Sequence, residues 1–110
     1  MNRSQERIEL NQTIEVFDII NGGLFGELVN ITTEGFMVMT EKPIPTHAIY
    51  QLSLSLPEGI NTDNRISLGA DCLWCRDVEN FNRHWAGLQI IDASDQAIES
   101  IARLIDQYQK

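Results

Sequence analysis

From Ile14 to Ile91 the chain keeps returning to one short rhythm. Tyr50, Leu52, Leu54 and Leu56 alternate with Gln51, Ser53 and Ser55. A period of two puts the apolar set on one face of a strand and leaves the other face wet. Ile14, Val16 and Ile20 with Phe17 predict an earlier strand, interrupted by Asp18, and Leu24 to Val29 predict its partner. Asn21-Gly22-Gly23 between them tolerates the positive φ that a tight hairpin demands. Gly35-Phe36-Met37-Val38-Met39 starts a third strand, which Pro43 and Pro45 end because proline offers no N–H to a ladder. Pro57-Glu58-Gly59 and the polar run Asn61–Asn64 close the fourth. Ile66–Arg76 and Trp85–Ile91 predict two more strands, joined by a polar loop around Asn80, Asn82 and Arg83. Short strands at this spacing, with turn signals between them, indicate a sandwich or barrel.

The rhythm changes after Asp92. Ala97, Ile98, Ile101, Leu104, Ile105 and Tyr108 recur at intervals of three and four, one apolar stripe on a helix. Ser94 is placed to cap its N-terminus, and Asp95 suits the positive end of the helix dipole. A single stripe of this kind suits a helix laid over the open end of a barrel. No repeat or low-complexity linker divides the 110 residues, so one domain is expected, a leader over 1–10, a barrel over 12–92 and a helix over 94–109.

Charge narrows the function. Sixteen acidic residues against 8 basic ones give a formal net charge of −8. Such a surface repels a phosphate backbone, whose neutralisation supplies most non-specific nucleic-acid affinity, so neither DNA nor RNA is expected as a partner. A small anion is different, because two or three local arginines outweigh a diffuse background that salt screens beyond about 10 Å. No apolar run approaches the roughly 20 residues that cross a bilayer, and Met1-Asn2-Arg3-Ser4-Gln5-Glu6-Arg7 lacks the apolar core of a secretion signal. The expected location is the cytoplasm.

Catalytic chemistry finds little support. His47 and His84 fall in different elements, and no nucleophile elbow, His-Glu-x-x-His pair or phosphate-binding Walker loop is present. Cys72 and Cys75 form one Cys-x-x-Cys, but no second pair completes four zinc ligands. An offset of three on a regular strand sends the two thiols to opposite faces, as two structural cysteines. No enzyme activity, no metal and no cofactor are expected.

Binding has better material. Arg3 and Arg7 frame a five-residue segment ahead of the first strand. Asn30-Ile31-Thr32-Thr33-Glu34-Gly35 is a turn of small hydrogen-bonding residues ending in glycine. Together these resemble the PilZ domain family, which carries Arg-x-x-x-Arg near its start and, some twenty-odd residues later, Asp/Asn-x-Ser-x-x-Gly before an apolar strand. The resemblance continues through Ala70-Asp71-Cys72-Leu73-Trp74, through Trp85-Ala86-Gly87-Leu88-Gln89-Ile90, and through Asp92-Ala93-Ser94 into the last helix. It implies a six-stranded antiparallel barrel with a C-terminal helix and a flexible N-terminal arginine leader.

It also implies a ligand, cyclic di-GMP, which offers two phosphates and two guanines. Arg3 and Arg7 would chelate phosphate or a guanine edge and stack on a base. Asn30 and Thr32 would hydrogen-bond a guanine, Thr32 keeping the hydroxyl of the family's serine, and Gly35 would permit a backbone conformation or a close ligand approach that a Cβ would obstruct. Asn2 stands where many members carry a basic residue that goes with two stacked ligand molecules, which implies one here. Ordering five leader residues costs about 1–2 kcal/mol each, against about 1.5–3 kcal/mol for each charge-assisted hydrogen bond. Several such bonds must form together, which makes closure a switch. The resemblance implies a receptor that signals to an effector protein when the leader closes. Its alternative is a degenerate interaction module of the same fold that binds no nucleotide.

Overall fold

The computed structural model describes residues 8–9, 13–78 and 82–108. Arg3 and Arg7 of the predicted site, and Asn80 of the predicted loop, lie outside the described residues. The elements in order are β1 (Ile8–Glu9), β2 (Glu15–Asp18), β3 (Leu24–Ile31), β4 (Gly35–Thr40), β5 (Ile49–Ser55), β6 (Arg65–Val78), β7 (Arg83–Asp92) and α1 (Asp95–Tyr108).

Six of the strands close on themselves. The order β3-β2-β5-β6-β7-β4 returns to β3 through a β3–β4 pairing, and every pairing is antiparallel. This is the six-stranded antiparallel barrel with one C-terminal helix that the sequence predicts. The period of two is the reason it has an inside. Val16, Leu28, Val38, Leu52, Leu54, Ile66, Leu68 and Leu88 are all buried in one core cluster. Their outward neighbours, such as Glu15, Glu27, Ser55 and Ser67, are exposed.

The β2–β3 hairpin turns as its residues dictate. Gly22 and Gly23 take φ of 80° and 88°, in the left-handed region that glycine enters without penalty. Asp18 does more than interrupt a strand. Its carboxylate accepts hydrogen bonds from Ile20 N at 3.0 Å, Asn21 N at 2.9 Å and Asn21 Nδ2 at 3.0 Å. Burial pushes this carboxyl up, but the hydrogen bonds from Asn21 and Ile20 outweigh it and hold the group below its ordinary value.

Helix α1 seals one end. Ser94 Oγ accepts from Ala97 N at 3.0 Å, the cap expected of it. Ala97, Ile101 and Leu104 join the barrel core, with Ile98 and Ile105 packed beside them. Ser100, also buried, donates to Gln96 O and accepts from Asn61 Nδ2, which ties the helix to the β5–β6 loop.

Two of the register shifts were invisible in the alternation. The β3–β4 register passes from Leu28↔Val38 to Asn30↔Met37, and the β6–β7 register from Cys72↔Leu88 to Trp74↔Gly87. Each leaves one extra residue, Val29 and Leu73, and flips the inside-outside phase of the strand beyond it. The expectation that Cys72 and Cys75 face opposite ways is thereby corrected. Cys72 is wholly buried in the core and Cys75, opposite buried Ala86, packs against the same core. Burial first, and then the neighbouring Cys75, push the Cys72 thiol up, which keeps it protonated and unreactive.

Candidate functional site

Asn30, Thr32 and Gly35 meet where β3 hands over to β4. Without the bulge at Val29, Asn30 would follow Leu28 into the core. With it, Ile31 and its partner Phe36 face inward, and Asn30 faces outward beside Met37. Both Asn30 and Met37 are nevertheless buried.

Thr32 closes the turn with all of its hydroxyl. Its Oγ1 accepts from Glu34 N and Gly35 N, both at 3.1 Å, and donates to Gly35 O at 3.2 Å. A hydroxyl has one donor and two acceptor sites, so this one is saturated by the turn itself. Thr32 N also donates to Gly35 O at 2.8 Å, and Ile90 N donates to Glu34 O at 2.9 Å, which pins the turn to β7.

Gly35 is required for a different reason from a turn glycine. Its φ is not positive. A Cβ there would lie 2.6 Å from Leu88 O, so the absence of a side chain is what lets β7 approach β4.

The segment that follows Arg7 runs alongside this turn. β1 pairs with the end of β3 in the register Ile8↔Ile31 and Glu9↔Asn30. Helix α1 lies next to β1 as well. Two residues without periodicity gave no signal of this pairing in the sequence.

Register carries the outward row further round the barrel. Asn30 pairs with Met37, Met37 with Gly87, and Gly87 with Trp74. At about 4.8 Å per strand the row is roughly 14 Å wide. Trp74 closes it by lying over Gly87, where a Cβ would come within 2.2 Å of the indole Nε1. Arg76 stacks on the Trp74 ring at 5.2 Å from its centroid. Sequence reasoning passed over Trp74, Gly87 and Arg76 as site residues. A glycine in mid-strand was the available signal, since it marks a close approach by something else.

Two grooves of about 690 and 420 Å³ exist among the described residues, and neither includes Asn30, Thr32 or Gly35. No three His, Cys, Asp or Glu side chains come together around a metal-sized space among the described residues. No described helix is long and apolar enough to cross a membrane.

Comparison with known proteins places the fold. No curated protein sequence matches the chain significantly. Among solved structures it is similar to the motility inhibitor MotI (DgrA) of Bacillus subtilis, at 14% identity and a TM-score of 0.78, covering 99% of this chain and 52% of that one. It is similar to MrkH of K. pneumonia in its apo state, at 13% identity and a TM-score of 0.81, again covering 99% and 52%. The PilZ domain of YcgR from Escherichia coli, solved with cyclic di-GMP, matches at 10% identity and a TM-score of 0.71, covering 98% of this chain and 92% of that one. The chain thus spans about half the length of MotI and MrkH. The family description itself, PilZ domain, matches residues 1–107, motifs and barrel together. The chain belongs to the PilZ domain family.

Proposed function

We propose that this chain is a cyclic di-GMP receptor without enzyme activity. The ligand lies on the outer barrel wall at the β3–β4 turn, held by Arg3, Arg7 and Asn30 on a turn that Thr32 and Gly35 keep in shape. The observation that carries the reading is the β1–β3 register, Ile8↔Ile31 and Glu9↔Asn30. It brings the residue directly after Arg7 beside the turn, so two motifs far apart in sequence belong to one place. Family membership and the cyclic di-GMP bound by the YcgR PilZ domain support the choice of ligand.

The roles follow from the chemistry. Arg3 and Arg7 supply the forked donors that two phosphates and guanine edges accept. Asn30 offers an amide to a guanine edge. Thr32, saturated within the turn, acts by holding the loop in shape, and Gly35 by admitting β7 beside it. Trp74, with Arg76 on its face, lends a flat surface and a cation to the same wall. Closure of the Arg3–Arg7 segment on the ligand then presents a new surface to an effector protein.

Titration calorimetry with cyclic di-GMP tests the reading directly. Binding by the parent is expected, with Arg7→Ala abolishing it while circular dichroism stays unchanged. A parent chain that gives no heat refutes the receptor assignment. An Arg7→Ala chain that binds like the parent refutes the site.

A further inference from the structure

We propose that Asn21 is a site of spontaneous deamidation that Asp18 holds in check, so that the β2–β3 hairpin converts opening of its own turn into a lasting change of charge. The sequence supplies the reactive pair. Asn21 is followed by Gly22, whereas every other asparagine of the chain is followed by a residue with a side chain. Deamidation begins when the main-chain nitrogen of the next residue attacks the asparagine side-chain amide carbon. A Cβ on that next residue obstructs the approach, and glycine has none. Asn21, Gly22 and Gly23 are also exposed, so solvent reaches all three.

The chemistry needs only water. Gly22 N gives up its proton to solvent and bonds to Asn21 Cγ; the Cγ–Nδ2 bond breaks, and Nδ2 leaves as ammonia after taking up a proton. Water then opens the cyclic imide that remains. Attack at the former side-chain carbonyl yields aspartate. Attack at the main-chain carbonyl yields isoaspartate, in which the chain runs on through the former side chain. No atom is oxidised or reduced.

The fold opposes this reaction at both reacting nitrogens, and a single residue does so. Asp18 O accepts from Gly22 N at 2.9 Å, which holds the attacking nitrogen. Asp18 Oδ2 accepts from Asn21 Nδ2 at 3.0 Å, which holds the leaving one, while Oδ1 accepts from Asn21 N at 2.9 Å. The carboxylate thus grips Asn21 by side chain and backbone together. Attack needs the Gly22 N–H released and the Asn21 side chain free to turn, and these bonds oppose both. A turn held this way reacts in the fraction of time that it is open.

The product does not fit the place where it forms. Either carboxylate removes the donor facing Asp18 Oδ2 and sets a second negative charge beside the first. Isoaspartate also lengthens the main chain between Asp18 and Gly23, which are joined where Asp18 N donates to Gly23 O at 3.0 Å. β2 is only 4 residues long and links β3 to β5 in the ring. A turn that no longer closes loosens the barrel at that joint. The hairpin lies at the Leu24 end of β3 and the Asn30–Gly35 turn at the other end, so the inference stands apart from the ligand assignment.

The test is to incubate the whole chain in heavy-oxygen water at mildly alkaline pH, folded and in guanidinium chloride, and then to map its peptides. Water that opens the imide leaves its oxygen in the new carboxyl group, so the label marks conversion during the incubation. In denaturant the label should appear at Asn21 well ahead of every other asparagine. In the folded chain it should appear there at least about tenfold more slowly, the effect of hydrogen bonds that must break first. Asp18→Asn keeps one oxygen for the backbone donors but withdraws the acceptor facing Asn21 Nδ2, and should label several-fold faster than the parent at unchanged circular dichroism. Asp18→Ala should label faster still, and where it fails to fold, Asp18→Asn decides. Labelling of the folded parent as fast as in denaturant overturns the proposal. So does an Asp18→Asn chain that labels no faster than the parent, or an Asn21 that stays unlabelled even in denaturant.

Discussion

Thr32 has a side chain whose hydrogen-bonding capacity is spent on its own turn, two N–H groups received and one carbonyl reached. The motif's demand for a hydroxyl therefore has a structural reason that comes before any ligand. Thr32→Val keeps the shape and removes all three bonds. It is expected to cost about 1–3 kcal/mol, since two backbone donors lose their partner. It should also weaken cyclic di-GMP by loosening the loop. Thr32→Ser restores the bonds and should restore both properties. Chemical denaturation and calorimetry on the two variants separate this from a direct contact, for which stability would be untouched by Thr32→Val. Gly35 shows the same logic in reverse, because what the position must lack is a Cβ against Leu88 O. Asn30 and Thr32 were legible as a hydrogen-bonding turn from residue type alone. The reason for Gly35 was not, because the strand that crowds it comes more than fifty residues later.

Among the elements, β3 and β6 are the two whose plain alternation misleads. The strands, the Asn21–Gly23 hairpin and the capped helix were all legible, since each is signalled within a few residues by period, turn chemistry or cap. The bulges at Val29 and Leu73 carry no compositional mark and are imposed by pairing with β4 and β7. A single extra residue inverts the faces beyond it, which is why Cys72 and Cys75 share a side and Asn30 escapes the core. The β6 bulge also sets Trp74 over Gly87. Gly87→Ala must push the indole away, because the new Cβ would sit 2.2 Å from Nε1. Overpacking of this kind typically costs about 1–3 kcal/mol. The expected signature is a red-shifted tryptophan emission together with weaker cyclic di-GMP binding. An unchanged spectrum would show that the Trp74–Gly87 contact is not maintained in solution.

For the whole molecule, helix α1 belongs to the barrel core. Ile101 and Leu104 are fully buried within the same cluster as Val16, Leu52 and Leu54. Leu104→Ala is expected to destabilise the entire fold by about 2–5 kcal/mol. Strand and helix should melt together in one transition, checked by following near- and far-ultraviolet dichroism in the same denaturation. A helix lost well before the barrel would contradict the shared core. The amphipathic stripe made the helix legible in the sequence, and the barrel's open end is what makes that stripe necessary.

The position of β7 has a consequence for synthesis. It is the last of the described strands, yet it stands between β6 and β4 and is what seals the ring. Until residues 83–92 have left the ribosome, β4 and β6 each keep an unpaired edge, the kind of edge on which foreign strands are templated. The helix that stoppers the core is made later still. A nascent copy that lacks β7 can therefore form no more than an open sheet. Slow decoding of residues 83–92 would prolong exposure of those edges and favour aggregation over closure.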